Sequence, residues 1–79
     1  MRIDKFLKVA RIIKRRTIAK EFCDGGKVML NDRPAKAGDN VKLGDTMTIQ
    51  FGQRFVRYRV LALHEHASKE TAQEMFEEV

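Results

Sequence analysis

The chain has 79 residues, of which 43% are hydrophobic and 34% charged, and it carries a formal net charge of +5 with a pI near 9.7. This length excludes a catalytic domain beside a binding domain, and the composition is that of a globular rather than a disordered chain. A single cysteine excludes an internal disulfide, and no apolar run approaches a signal peptide or a transmembrane span, so we expect a cytoplasmic protein.

The positive charge is concentrated in the first twenty residues. This stretch holds eight basic side chains and one acid, Asp4, which gives +7, whereas residues 37–79 hold five basic and seven acidic side chains, which gives −2. Positive charge gathered in one place suits a polyanion, because neutralising phosphates releases their counterions. Nucleic acid is therefore the first candidate partner and an anionic membrane the second.

The first predicted element is an amphipathic helix over residues 3–13. Lys5 and Lys8 point away from its apolar stripe, and the single sign of the charges favours a ligand-binding role, since a solvated face usually mixes acids and bases. The stripe recurs at helical spacing and consists of Ile3, Phe6, Leu7, Ala10 and Ile13.

A basic turn at residues 14–16 leads to a second predicted helix, from Arg16 or Thr17 to Cys23 or Asp24. Arg16 and Lys20 are four residues apart and therefore share its outer face. Gly25-Gly26 ends the helix, one of the two glycines taking a left-handed conformation. The inward residues are predicted to be Ile18, Ala19, Phe22 and Cys23.

Beyond Gly26 the pattern changes to that of strands. The sequence predicts a strand at 27–30, a turn at Asn31-Asp32, an extended segment at 33–37, and a hairpin of strands 46–51 and 54–63 joined by Gly52-Gln53. We expect Phe55 in the core and Tyr58 as the one exposed aromatic platform. With so little aromatic surface, a folded RNA is a better candidate than a single strand that stacks its bases.

Ser68 is a good helix N-cap, so residues 69–78 are predicted to form a short acidic helix. The expected fold is α+β, with two packed N-terminal helices on a small antiparallel sheet and a short C-terminal helix. We expect one domain over residues 1–79, with a core motif at about 1–52 and the hairpin and last helix at 46–79.

Four motifs together resemble a known RNA-binding domain. They are Met1-Arg2-Ile3-Asp4-Lys5-Phe6-Leu7-Lys8, Arg16-x-x-Ala19, Gly26-x-Val28-x-x-Asn31 and Val41-x-x-Gly44-Asp45. As a set, they resemble the S-four (S4) RNA-binding domain, named after a small-subunit ribosomal protein. The chain departs from the usual pattern at Asp32, where the family has glycine. Its length and opening are similar to the stand-alone bacterial RqcP (YabO) group, itself similar to the ribosome-associated heat-shock protein of fifteen kilodaltons.

The resemblance implies a non-catalytic RNA-binding factor of ribosome-associated quality control. It implies binding to a large-subunit rRNA hairpin and to peptidyl-tRNA on stalled large ribosomal subunits. It also implies support for C-terminal alanine tailing of nascent chains by an RqcH-type tailing factor. We expect the chain to act as a monomer, without a cofactor and without a membrane partner.

Seven residues are candidates for RNA binding. The resemblance assigns RNA contact to Arg2, Lys5 and Arg16. Arg16 could hold a phosphate or a base edge through two hydrogen bonds from its planar guanidinium, which no lysine can do. Charge alone adds the flanking candidates Lys8, Lys14, Arg15 and Lys20.

The other polar groups favour structural roles. Asp4 is expected to support a neighbouring basic side chain or to cap the first helix, and Cys23 to be a core residue. His64 and His66 are the only histidines and Cys23 is assigned to the core, so the ligands for a zinc site are missing, and no nucleophile–base pair indicates an enzyme. The hairpin arginines could either extend the RNA surface or pair with the acidic final helix; they are Arg54, Arg57 and Arg59.

Two alternatives remain open at this point. The chain could be an RNA-anchoring accessory subunit of an RNA-modifying or processing enzyme. It could also lie on a membrane surface, with residues 2–16 as an interfacial amphipathic helix. Against the membrane interpretation, the stripe includes Ala10 and resembles a core face, and the chain has no tryptophan.

Overall fold

A computed structural model describes residues 1–79, with three helices and five strands. The strands form one antiparallel sheet in the order β2-β1-β3-β4-β5, which confirms the predicted α+β fold. None of the helices has the length and apolar character that crossing a bilayer requires. The elements in chain order are α1 (Ile3–Val9), α2 (Arg16–Asp24), β1 (Val28–Leu30), β2 (Arg33–Pro34), β3 (Thr46–Phe51), β4 (Arg54–Val60), α3 (Lys69–Gln73) and β5 (Phe76–Glu78).

Helix α1 ends at Val9, four residues before its predicted end. Arg11 has a left-handed backbone with φ of 61°, and its N–H donates to the carbonyl of Lys8 at 3.0 Å. The next N–H, that of Ile12, donates to the carbonyl of Leu7 at 3.1 Å. These two bonds form a Schellman motif, which stops a helix while satisfying its last carbonyls. All five residues of the predicted apolar stripe are nevertheless buried.

Helix α2 has the predicted bounds, and Gly26 follows its C-cap with φ of +75°. Ala19 and Cys23 are buried and Phe22 is half-buried against Phe51. The prediction that Ile18 faces inward is wrong, because its side chain is 37% exposed. The side of α2 that faces the core contains Ala19 and Cys23, with Phe22 packed at its edge, and Ile18 lies about 100° around the helix from Ala19.

The β1–β2 turn contains the residue that departs from the S4 pattern. Asn31 and Asp32 both have positive φ, 51° and 65°, so the aspartate takes the left-handed conformation that glycine takes elsewhere. The Asn31 side chain binds the start of β3, accepting from the Thr46 N–H at 3.0 Å and donating to Asp45 Oδ1 at 3.1 Å. Asn31 therefore fixes this hairpin to the rest of the sheet.

Strands β3 and β4 form the predicted hairpin around Gly52, which has φ of +63°. The prediction for its aromatic residues is wrong. Phe55 is 67% exposed, whereas Tyr58 is half-buried and makes an edge-to-face contact with Phe76 at 5.2 Å. Burial of Val56 on the inner face forces Phe55 outward, because successive strand residues alternate between faces.

The C-terminal segment is helical only as far as Gln73, so the predicted helix over 69–78 is half wrong. Ser68 caps α3 as predicted, accepting from the Thr71 N–H at 3.1 Å. Residues Phe76–Glu78 instead form β5 on the edge of β4, while Met75 is fully buried in the core. Pairing with β4 satisfies the backbone along that edge, which a continued helix would leave open.

Candidate nucleic-acid interface

A buried carboxylate holds two arginines at the start of the chain. Asp4 is 2% exposed, and the Arg2 guanidinium donates to both of its oxygens, Nε to Oδ1 at 3.2 Å and Nη2 to Oδ2 at 3.1 Å. Arg16, from α2, donates from Nη2 to Oδ1 at 3.4 Å. Both arginine side chains stay about half exposed, at 51% and 46%. Asp4 therefore fixes the two guanidinium groups while leaving each open to a ligand.

The surroundings of Asp4 keep it ionised. Burial alone would raise the pKa of this carboxyl, but the hydrogen bond from Arg16, the N–H of Lys5 at 2.8 Å and the charges of Arg16 and Arg2 together outweigh it. The net result is a pKa below the usual value for aspartate. The expectation that Asp4 supports a basic neighbour is confirmed by these contacts.

The N-terminal residues are held in place by the segment before β3. The N–H of Ile3 donates to the Asp39 carbonyl at 2.8 Å, and the N–H of Val41 donates to the Met1 carbonyl at 2.8 Å. Ile3 is itself completely buried. Arg2 is thus carried on an anchored backbone rather than on a mobile tail, which lowers the entropy lost when it binds a ligand.

Two neighbouring clefts share Arg16. The small cleft, of about 310 Å³, is lined by Arg2, Asp4, Arg16, Thr17 and Lys20. No side chain caps the N-terminus of α2 beside it, and the first turn of α2 holds no acid, so the positive end of the helix adds to the field. Arginine, lysine, a hydroxyl and a helix N-terminus together suit a phosphate group.

The large cleft, of about 760 Å³, lies between α1, the α1–α2 loop and the residues before α3. Six of its side chains are Lys or Arg and one, Glu65, is acidic. Its full lining is Lys5, Lys8, Val9, Arg11, Lys14, Arg16, Glu65, His66, Ala67 and Lys69.

Six of the seven residues predicted to bind RNA line these clefts. The exception is Arg15, the N-cap residue of α2, which is exposed but lines neither cleft. The large cleft also contains two basic residues that are not among the predicted seven, Arg11 and Lys69. Arg11 belongs to the basic run of the first twenty residues, so its charge is a sequence signal for RNA contact. Lys69 lies far away in sequence, and only the tertiary fold brings it to the cleft.

Glu65 partly neutralises the large cleft. Its carboxylate forms an ion pair with Lys5, and it is 68% exposed. The Lys5 hydrogen bond and charge lower the pKa of Glu65. Glu65 is the one acid among the residues of the large cleft, and its ion pair limits how much of the Lys5 charge is available to an incoming anion.

Cys23 and the hairpin arginines lie away from the two clefts. Cys23 is 3% exposed, and burial, with the nearby charges of Asp4 and Asp24, raises its pKa to about 11. This confirms its predicted place in the core. Among the hairpin arginines, Arg59 approaches Glu77 of β5 at 3.8 Å.

Comparison with known proteins gives the same domain. A family model described as the S4 domain matches residues 1–47. The RQC P-site tRNA stabilizing factor of Bacillus subtilis is 50% identical over 76 residues, covering 96% of this chain and 88% of that protein. The factor of the same name from Listeria innocua is also 50% identical over 76 residues, with 96% and 83% covered. This chain belongs to the family of RQC P-site tRNA stabilizing factors.

The solved structures support this assignment. The chain matches a structure of Vibrio cholerae Heat Shock Protein 15, described as trimeric, with a TM-score of 0.92 and 29% identity, covering 100% of this chain and 81% of that one. Membership in the RQC P-site tRNA stabilizing factors confirms the family predicted from the four motifs. The S4 domain identifies the chain as an RNA-binding protein, and its family is one of ribosome quality control factors.

Proposed function

We propose that this chain is a non-catalytic factor that binds an rRNA hairpin and peptidyl-tRNA on stalled large ribosomal subunits. By holding the tRNA, it would support repeated alanine addition to the nascent chain by an RqcH-type tailing factor. The observation that carries the proposal is the Arg2–Asp4–Arg16 cluster, which presents two fixed guanidinium groups between two basic clefts. Family membership supports the choice of ribosomal RNA and tRNA as ligands.

The paired clefts suit a bridging role. Arg16 lines both, so two phosphate tracks could run on either side of one anchored arginine. Lysines act as point charges along each track, while the guanidinium of Arg16 can orient a phosphate through two parallel hydrogen bonds. A rigid basic surface of this kind recognises the spacing of phosphates as well as their charge.

The chemistry of the clefts suits binding rather than catalysis. Their charged side chains are lysines and arginines with Asp4 and Glu65, and the one cysteine is buried in the core with a raised pKa. Lysine and arginine side chains are suited to holding anions such as phosphate through their charge and their hydrogen-bond donors. We propose that the factor acts in the cytoplasm, where ribosomes are found, and as a single copy.

The fold argues against the membrane-surface alternative. It requires the apolar face of α1 to be free for insertion between lipids. Ile3, Phe6 and Leu7 are instead completely buried in the core of the protein.

The test is sedimentation of the tagged protein through a sucrose gradient of cell lysate, with sequencing of the bound RNA. We expect co-migration with free large subunits and enrichment of tRNA. Arg16→Ala should weaken the free energy of binding to large subunits by about 1–3 kcal/mol, the typical loss for a bidentate contact. Arg15→Ala is the matched control, because it removes the same charge from the neighbouring position outside both clefts.

Two results would contradict the proposal. If Arg16→Ala and Arg15→Ala weaken binding equally, net charge rather than the anchored cluster carries affinity. If the protein stays at the top of the gradient and instead co-purifies with an RNA-modifying enzyme, the accessory-subunit function replaces the ribosomal one. Light scattering on the purified protein tests the single-copy state.

A further inference from the structure

The sheet has a second face, on the side away from the buried core. In paired antiparallel strands, residues opposite each other point to the same side. Phe55 pairs with Gln50, Arg57 with Thr48, and Arg59 with Thr46. We call the resulting surface the outer face; it consists of Thr46, Thr48 and Gln50 from β3 and Phe55, Arg57 and Arg59 from β4.

The outer face of β4 is open. Phe55 is 67% exposed, and Arg57 and Arg59 are also exposed, so no helix covers this side of the hairpin. The residues of the same strand that point to the other side, Val56 and Val60, are buried, with only 5% and 1% of their surface exposed. A solvent-exposed aromatic ring beside two arginines is a binding feature rather than a packing one, since neither the core nor a neighbouring element uses it.

The charge of the outer face selects an anion. β3 contributes threonine and glutamine, and β4 contributes two arginines, so neither strand places an acid there. β5 places one acid on this side of the sheet, because Glu77 is paired with Arg59 and approaches it at 3.8 Å while both side chains stay about half exposed. With Arg57 and Arg59 against this one acid, the face remains positive by one charge. Arg57 lies two residues along the strand from Phe55, a distance of roughly 7 Å.

We propose that the outer face binds a short single-stranded nucleic-acid segment, with a base stacked on Phe55 and adjacent phosphates on Arg57 and Arg59. On this sheet the exposed ring can stack with the base of a nucleotide, and the neighbouring arginines can bind its phosphate. An acidic protein segment would use the arginines but would have no base to cover the ring. The surface lies on the opposite side of the sheet from the packed core, so it adds a contact beyond those of the two clefts.

The test uses the absence of tryptophan from the chain. Phe55→Trp introduces one fluorophore at the proposed stacking position, and ten-nucleotide single-stranded oligouridine is the probe. Leu61→Trp is the matched control, because position 61 is also exposed, at 47%, but lies beyond the far end of β4. We expect saturable quenching of the tryptophan at position 55 and little change at position 61.

Two further variants separate this surface from the clefts. In the Phe55→Trp background, Arg57→Ala should weaken oligouridine binding about 5- to 10-fold. Lys42→Ala in the same background should leave the quenching curve unchanged, because Lys42 is exposed but lines neither cleft and is not on the outer face. Quenching reports on the outer face and sedimentation of Arg16→Ala reports on the clefts, so failure of the two proposals gives different results. An abasic ribose-phosphate oligomer of the same length should bind more weakly than oligouridine.

The proposal is overturned if oligouridine does not quench the tryptophan at position 55, or if both tryptophan variants are quenched alike. It is also overturned if a ten-residue glutamate peptide produces the same saturable change as oligouridine. That last result would identify the outer face as a contact for an acidic protein.

Discussion

Arg11 occupies, at the end of α1, the position that Gly26 occupies at the end of α2. Both residues follow the helix C-cap with left-handed backbones, φ 61° and 75°, and both helices end in the same pair of backbone hydrogen bonds. Glycine takes this conformation freely, whereas a residue with a Cβ is destabilised by roughly 1–2 kcal/mol. Arg11 also lines the large cleft. The strained position therefore carries one of the charges of the interface.

The first prediction is that Arg11→Gly raises stability while it weakens RNA binding. Relief of the left-handed strain, less the extra freedom of glycine in the unfolded chain, should increase the free energy of unfolding by up to about 1 kcal/mol. Urea denaturation measures this change. Arg11→Ala is the control, because it removes the charge but keeps the Cβ, so it should lose RNA affinity equally without gaining stability. Equal stability of the two variants would contradict strain at this position.

The elements that the sequence predicted well are those with local signals. Helix α2 ends at a double glycine, and the β3–β4 hairpin combines strict alternation with a glycine turn. The early end of α1 has no such signal, because an arginine rather than a glycine takes the left-handed position. Strand β5 is missed for another reason: its pairing with the edge of β4 outweighs the helical tendency of an acidic stretch.

The candidate site also has a part that the sequence predicts and a part that depends on the tertiary fold. The basic run over residues 2–20 is visible as composition, and six of its predicted residues do line the clefts. The joint use of Asp4 by Arg2 and Arg16 depends on how α1 packs on α2, so it could not be derived from spacing. Glu65 is 60 residues away from Lys5 in sequence, and only the tertiary fold brings the pair together.

The second prediction is that Asp4→Asn weakens RNA binding even though it makes the protein more positive. An amide keeps one acceptor oxygen in place of two, so one of the two hydrogen bonds to Arg2 or the bond to Arg16 is lost, and it lacks the charge that holds both guanidinium groups. Loss of these contacts should also reduce the free energy of unfolding by about 1–3 kcal/mol. Asp24→Asn is the charge-matched control, since Asp24 is exposed at the end of α2. Stronger RNA binding by Asp4→Asn would mean that net charge dominates.

The third prediction concerns stability at low pH. The pKa of Asp4 is lower in the folded protein than the ordinary value of 3.8. At acidic pH the folded protein therefore binds fewer protons at this site than the unfolded chain does. Its stabilising contribution is therefore present above pH 3.8 and is lost as the pH falls through the lower, folded-state pKa. We expect Asp4→Asn to flatten the curve of unfolding free energy against pH in this acidic range. Parallel curves for the variant and the original protein would contradict the role of Asp4.

The fourth prediction is that Cys23 reacts with thiol reagents only when the protein unfolds. Its pKa of about 11, raised first by burial, leaves on the order of one thiolate in a thousand at pH 8, and the side chain is 3% exposed. The rate of modification by a maleimide at pH 8 should rise with urea in parallel with the loss of secondary structure. Fast labelling in the absence of urea would show that α2 opens locally, away from the core.

The fifth prediction is that Glu65→Gln strengthens RNA binding. Glu65 pairs with Lys5 and is the one acid in the large cleft, so its neutralisation frees that lysine and removes a repulsion felt by phosphate. We expect a gain of about 2- to 5-fold in affinity at low salt, shrinking as salt screens the clefts. Filter binding of rRNA fragments at two salt concentrations measures it. Glu70→Gln is the control, because it makes the same charge change in α3 outside the cleft. An equal gain from both variants would show that Glu65 acts only through net charge, and the Lys5 pair would then have no specific part in RNA binding.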